Sequence, residues 1–386
     1  MDEVRIGVAG IGGMGGNHCE YLSKGAIPSG RLTAVADASP ERLAWAESSL
    51  GDGVKRFDTP EGMIGSGEID AVLIATPHYL HPPIAVAAFE AGLHVMSEKP
   101  AGVYTRQVKE MNAAAEKSGK VFALMLNQRA RGQTRKLHEL VSSGELGEIQ
   151  RTNYIITDWF RAQSYYDSGG WRATWAGEGG GVLANQCPHN LDLWQWVCGM
   201  PSRMRAFCYF GKHHEIEVED DVTAFVEYPN GATGVFVTGT GDAPGTNRLE
   251  ITGDRGKIVA ENGGIRFHRT EQSVSRFLKE YPGGFGSPDV WTCEVPSARG
   301  DGEHRTITAN WVQSILDGGE TELLAPGLDG IHSVELFNAM LLSTWTDSWV
   351  DIPVDADLYY DELQKRVATS KVKEGPGRTM DVKDSF

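Results

Sequence analysis

A chain of 386 residues, 40% hydrophobic and 23% charged, has an ordinary globular composition and is too long for one compact core, so two domains are expected. A formal net charge of −16, with no lysine- or arginine-rich stripe to offset it, argues against nucleic acid as a partner and favours a neutral polyol over a strongly anionic ligand. No apolar run reaches the ~20 residues of a bilayer span, and Met1-Asp2-Glu3-Val4-Arg5 lacks the regions of a signal peptide, so no membrane association and a cytoplasmic location are expected.

The first element is a short β-branched strand at residues 4–9, running into Gly10-Ile11-Gly12-Gly13-Met14-Gly15-Gly16 and a helix to about Lys24. A second strand at 32–36 ends in Asp37, and a helix starts near Pro40. Strands follow at 70–75, 93–97 and 121–126, separated by helical patterns at about 80–91 and 105–118. This alternation implies right-handed βαβ crossovers and a parallel sheet.

Gly10, Gly12 and Gly15 match GxGxxG where strand meets helix. The chain must turn tightly, let a pyrophosphate lie on bare backbone, and pack the helix close to the strand. The helix opening, with Gly13 and Met14, offers free N–H groups and a positive dipole end. Asp37 follows Gly15 by 22 residues, placed to accept the ribose hydroxyls of NAD and to repel a 2′-phosphate. NAD rather than NADP is the expected cofactor.

Further motifs run along the chain: Ala75-Thr76-Pro77-His78-Tyr79-Leu80-His81, Glu90-Ala91-Gly92-Leu93-His94-Val95, Glu98-Lys99-Pro100, Gly179-Gly180-Gly181-Val182-Leu183 with His189 and Asp192, and 330–336 leading to Ile352-Pro353. In this order they resemble the Gfo/Idh/MocA family, the relatives of glucose–fructose oxidoreductase and inositol dehydrogenase. The resemblance implies an α/β protein: an N-terminal Rossmann domain with a doubly wound parallel sheet (1–126), and a C-terminal α+β domain with a large, mainly antiparallel open sheet (127–386). It also implies an active site between them and a dimer or tetramer built on the sheet face. Lys99 would be the catalytic lysine and a substrate contact. Thr76, Pro77, His78, His81 and Glu98 would touch the cofactor, and Trp171 and Arg172 would approach its nicotinamide end. Asn127 and Arg129, from Asn127-Gln128-Arg129, would reach the cleft on the cofactor and substrate sides.

Elementary chemistry makes the lysine reasonable on its own. It follows a parallel strand at the carboxyl edge where ligands collect, and partial burial beside a cationic ring would lower its pKa.

In the second half, residues 148–159 and 203–260 alternate as strands, with turns at Pro229-Asn230-Gly231 and Gly253-Asp254-Arg255-Gly256. Residues 282–302 read as a long surface loop, and the tail after Gly375 as a polar, mobile end. If helix covers 165–196, Asn185 and His189 share a face; Pro188 would kink it or mark a first turn. The resemblance implies an acid at position 185, whereas this chain has a carboxamide that cannot take a proton. His189, with an ordinary pKa of ~6.5, is therefore the expected general base and Asn185 a group that orients a hydroxyl. Trp159, Phe160, Arg161, Tyr165 and Tyr166 either line the sugar site, Tyr165 foremost, or pack on the sheet or a subunit contact. Five cysteines without a CxxC pair, and His213-His214 with Glu217–Asp221 read as a solvated turn, give no metal site.

The expected reaction is NAD(P)-dependent oxidation of a secondary hydroxyl of a sugar, sugar derivative or cyclitol. The alternative is an NAD-dependent glycoside hydrolase working by transient C3 oxidation, elimination and re-reduction.

Overall fold

The computed structural model describes residues 2–298 and 303–371. Its first sheet contains β1 (Val4–Ala9), β2 (Gly30–Ala36), β3 (Lys55–Phe57), β4 (Ala71–Ile74), β5 (His94–Ser97) and β6 (Phe122–Leu124), all parallel, in the order β3-β2-β1-β4-β5-β6. The connecting helices are α1 (Gly13–Ser23), α2 (Pro40–Leu50), α3 (Pro60–Ile64), α4 (His81–Glu90) and α5 (Thr105–Ser118). Local chemistry sets their starts. Ser39 caps α2 through the Arg42 N–H and Thr59 caps α3 through the Gly62 N–H, each followed by a proline whose missing N–H costs nothing there. Strand order reverses between β1 and β4, so their carboxyl ends diverge and leave a crevice. β3 and α3 escaped the sequence reading because Lys55-Arg56 offers no apolar run.

α6 (Gly132–Ser142) leads into a second sheet built from β7 (Ile149–Ile156), β8 (Arg203–Phe210), β9 (Glu219–Glu227), β10 (Thr233–Gly239), β11 (Asn247–Gly253), β12 (Gly256–Glu261), β13 (Gly264–Thr270), β14 (Val290–Val295) and β15 (Val350–Asp351). The order is β14-β13-β12-β11-β7-β10-β9-β8-β15, and only β7 and β10 run parallel. The remaining helices are α7 (Gln163–Tyr166), α8 (Pro188–Cys198), α9 (Val274–Glu280), α10 (His304–Leu316), α11 (Gly330–Thr346) and α12 (Ala356–Val367). Alternation sorts the faces: Met204, Ala206 and Cys208 point inward, while Phe207 and Tyr209 are 51% exposed on the other side. Trp194 of α8 stacks on Phe236 of β10 in the covered face.

The chain returns to the first sheet late. Thr308 of α10 hydrogen-bonds the Tyr21 hydroxyl at 2.8 Å, and the Leu124 N–H donates to the Ala325 carbonyl at 3.1 Å. No helix among the described residues is long and apolar enough to cross a membrane.

Three expectations need correction. The 282–302 segment is not all loop: β14 pairs with β13 there. Its side chains are nearly all exposed, so the two-faced pattern that betrays a strand was missing. No continuous helix covers 165–196: α7 ends at Tyr166 and α8 begins at Pro188, which takes the first-turn position. The 217–221 segment is not solvated, because Glu219 and Asp220 are fully buried at the start of β9. Residues 299–302 and the tail after Gly375 lie outside the described residues.

Candidate active site

The glycine turn between β1 and α1 meets three separate demands. Gly10 sits at φ +82°, and a Cβ there would lie 2.8 Å from the Ala75 carbonyl oxygen. At Gly15 a Cβ would fall 1.8 Å from the Gly10 oxygen, so only glycine lets α1 approach the strand. At Gly12 it would meet nothing within 4 Å among the described residues. That open cradle, at an α1 N-terminus with no side-chain cap, fits a pyrophosphate against Gly12, Gly13 and Met14. Asp37, at the end of β2, accepts hydrogen bonds from the Ile11 N–H and the Ser39 N–H, both at 2.8 Å.

The ends of β4 and β5 form the other wall. His81 is buried and its two ring nitrogens face the carbonyls of Thr76 at 2.7 Å and Pro100 at 2.8 Å, tying the 75–78 turn to the lysine loop. The buried Thr76 hydroxyl has no partner among the described residues. His78 lies against the Glu178 carbonyl at 3.2 Å and meets the Trp171 ring edge-on. Glu98 is buried: Oε1 sits 2.8 Å from His18 Nε2, and Oε2 accepts the Lys99 N–H at 3.2 Å. Burial alone would raise this carboxyl, but the hydrogen bond and charge of His18 hold it at about 2. The side chain thus braces α1 against the lysine loop.

Lys99 reaches across from the first sheet to segment 159–189 of the second half, where Nζ donates to the Asn185 carbonyl at 2.8 Å. Burial pulls its ammonium below the ordinary value, against the pull of Glu98. His189, second residue of α8, is buried, and its Nδ1 has no partner among the described residues. Burial, and then the Lys99 charge, hold its imidazole well below 6.5, so it is neutral at physiological pH. Asn185 lies in the turn before α8 and meets Lys99 through its backbone rather than along a shared helix face. Its Nδ2 donates to Glu178 Oε1 and to the Tyr165 hydroxyl, the latter at 3.3 Å.

Around this cluster, the Tyr165 ring carries guanidiniums of Arg161 and Arg172 at 5.2 and 4.8 Å, and Arg172 Nη1 donates to its hydroxyl at 2.9 Å. Tyr166 is buried on Thr240 instead, and Phe160 is exposed. The Gly179–Gly181 run lets the segment thread closely, since a Cβ would lie 2.2 Å from Val103 at Gly179 and 2.0 Å from the Glu219 carbonyl oxygen at Gly181.

Two groups depart from expectation. Arg129 does not reach the cleft: at 2% exposure it forms an ion triad, bidentate to Asp192 at 2.6 and 2.8 Å and bonded to Asp329 at 2.7 Å. Asn127 is buried beside it in the turn Asn127–Ala130. Glu178, the buried carboxylate touching Asn185, was missed, although a lone acid before three glycines is an unusual neighbour and a usable signal. A cavity of about 390 Å³ opens between α6, α8 and the second sheet, lined by Gln128, Arg131, Tyr154, Asp158 and Asn190 among others; neither Lys99 nor His189 lines it. No cluster of three His, Cys, Asp or Glu suited to a metal occurs among the described residues.

Two sequence models of known families match the chain: an oxidoreductase family with an NAD-binding Rossmann fold over residues 4–126, and the GFO/IDH/MocA C-terminal domain over 134–259. The levoglucosan dehydrogenase of Pseudarthrobacter phenanthrenivorans is 26% identical over 92% of this chain and 99% of its own. The myo-inositol 2-dehydrogenase of Thermotoga maritima is 26% identical over 67% of this chain and 75% of its own. Among solved structures, the WlbA dehydrogenase from Bordetella pertussis, in complex with NADH and UDP-GlcNAcA, superposes with a TM-score of 0.76 at 25% identity, covering 92% of this chain and 100% of that one.

Proposed function

The chain belongs to the Gfo/Idh/MocA family of NAD-binding oxidoreductases, and from that premise we propose that it oxidises a secondary hydroxyl of a sugar, sugar derivative or cyclitol. One observation carries the reading: the Lys99 ammonium is held on the Asn185 carbonyl just before α8, whose buried His189 has an Nδ1 with no partner among the described residues and feels the Lys99 charge. Bound NAD supplies the hydride acceptor. Lys99, holding the Asn185 carbonyl with one N–H, keeps two donors for the reacting oxygen. His189 takes the hydroxyl proton as general base. Asn185 and Tyr165 orient the remaining hydroxyls, and Trp171 and Arg172 approach the nicotinamide end.

The Asp37 carboxylate supports NAD over NADP, because a 2′-phosphate would bring a second negative charge against it. We take 1–126 as the nucleotide half and 127–386 as the substrate half, working in the cytoplasm. The open face of the second sheet, with Phe207 and Tyr209 51% and Phe225 38% exposed, supports a dimer or tetramer built on it. The glycosidase alternative gains nothing from the relatives above, which are dehydrogenases by name.

The test is a polyol and glycoside panel read at 340 nm with NAD, run on the wild type and Lys99→Ala. Lys99→Ala should lose most of the rate and keep nucleotide binding. Undiminished turnover by that variant sinks the assignment; a glycosidase would release aglycone with no net NADH.

A further inference from the structure

Position 185 carries an amide, yet a carboxylate stands at hydrogen-bond contact with it. Glu178 is 2% exposed and lies seven residues earlier in the turn segment before α8. Its Oε2 accepts the Ala173 N–H at 2.6 Å, its Oε1 accepts Asn185 Nδ2, and Arg172 Nη1 lies 3.9 Å from Oε1. A carboxylate only accepts hydrogen bonds, so it dictates which end of the amide faces it. The nitrogen turns inward toward Glu178 and Tyr165, and Oδ1 is left as an acceptor on the other side. The backbone of the same residue is fixed as well: its N–H donates to the Gly181 carbonyl at 3.0 Å and its carbonyl holds Lys99 Nζ at 2.8 Å.

We infer that Glu178 is a positioning residue, a buried carboxylate that orients the Asn185 carboxamide to accept a substrate hydroxyl next to the one held by Lys99. The inference rests on the oxidoreductase reading above and names its substrate class. Asn185 serves two oxygens through one residue: its backbone carbonyl steers the ammonium on the reacting oxygen, and its Oδ1 takes a hydroxyl one bond along the ring. The substrate is therefore a vicinal diol, and the charge that position 185 lacks comes from the preceding turn.

Exchanging the two groups tests this. Glu178→Gln offers Asn185 an N–H as readily as an oxygen and frees the amide to flip. Asn185→Asp alone sets a half-buried carboxylate against the buried one of Glu178, a disfavoured pair. The double variant restores one carboxylate and one amide with their places exchanged. With levoglucosan and myo-inositol as probes, Glu178→Gln should lose 10- to 100-fold in kcat/KM, mostly in KM, with NADH affinity unchanged. Asn185→Asp should lose more. The double variant should recover to within about 10-fold of wild type, which a scaffold role for Glu178 would not produce.

Melting of the four proteins reads the same coupling without substrate: the double variant should melt above Asn185→Asp. Wild-type KM in a folded Glu178→Gln, or losses that add across both singles in rate and melting, overturn the inference. Coupled melting in a protein that transfers no hydride to NAD from any polyol would uphold the positioning contact and sink the dehydrogenase reading alone.

Discussion

Arg129 offers the sharpest quantitative test, because the resemblance and the structure give it different work. Replacing it by Met keeps much of the stem volume and removes the guanidinium. Asp192, 1% exposed, would then keep only the Gln195 amide at 3.1 Å. Burial already pushes this carboxyl up against the pull of Arg129, so without the cation it must take a proton or remain an uncompensated charge. Breaking a buried pair this way costs about 3–5 kcal/mol. Asp329 adds little, since its side chain is 36% exposed and water can replace the arginine.

At the usual ~2.1 cal/mol/K per residue, a chain of 386 residues unfolds with about 0.8 kcal/mol/K, so Tm should fall by roughly 4–6 °C. Arg129→Met/Asp192→Leu should recover most of that loss, because an apolar pair of similar size replaces a buried ion pair at little cost. Differential scanning fluorimetry and polyol KM on the same samples decide. An unchanged Tm with a KM raised 10-fold or more in Arg129→Met would refute the sealed triad and return the residue to the substrate.

The remaining tests are shorter. Gly12→Ala should change Tm by no more than the ~1 kcal/mol expected of an open site yet abolish NADH binding by fluorescence titration, whereas Gly15→Ala, whose methyl would overlap the Gly10 carbonyl, should lose about 1–3 kcal/mol of stability as well; equal nucleotide affinity in Gly12→Ala and wild type would remove the pyrophosphate from that cradle. The pH profile of kcat/KM should be a bell with both limbs displaced downward. His189 must be neutral and its pKa is held well below 6.5, so the acid limb lies below that value; the Lys99 ammonium must be charged and is pulled down from 10.5, so activity falls before that pH is reached. An acid limb at or above 6.5 would rule His189 out as the base.

Glu219, whose Oε2 is buried without a partner among the described residues, is pushed up to about 7 from 4.5. The folded state therefore holds its proton longer than the open chain does. This contribution is whole below 4.5 and lost as pH rises to 7 and beyond, by at most about 3 kcal/mol. Glu219→Gln should melt higher than wild type at pH 8.5 and not at pH 4.5; parallel curves would show that the carboxyl stays solvated.

Much of the nucleotide half was legible from sequence because its signals are local. Three glycines, one aspartate and buried β-branched strands each express a constraint within a few residues, and the observed turn shows the positive φ at Gly10 and the close strand–helix approach at Gly15. The lysine and histidine were also legible, as residue types at expected positions. What joins them was not. Glu98 bonds a histidine 80 residues away, Arg129 an aspartate 63 residues away and another 200 away, and none of these pairings follows from spacing. The conditional helix over 165–196 is not met, because Gly179 and Gly181 serve close contacts to Val103 and Glu219 rather than a periodic face. Glu219 and Asp220 look like solvent-facing acids; their burial depends on backbone N–H groups supplied by other turns.

The central position of β7 has a consequence for how the chain is made. This strand is the first of its sheet to be synthesised, yet its neighbours on either side begin at Thr233 and Asn247. At ribosomal speeds of about 5–20 residues per second, both edges of Ile149–Ile156 stay bare for several seconds after it emerges. The nucleotide-side sheet, by contrast, has all six strands once residue 124 is out. A nascent chain arrested between about 160 and 200 thus presents a complete parallel sheet, still without its late contacts from Thr308 and Ala325, trailing one unpaired, aggregation-prone strand. Chaperone demand should be concentrated in that window.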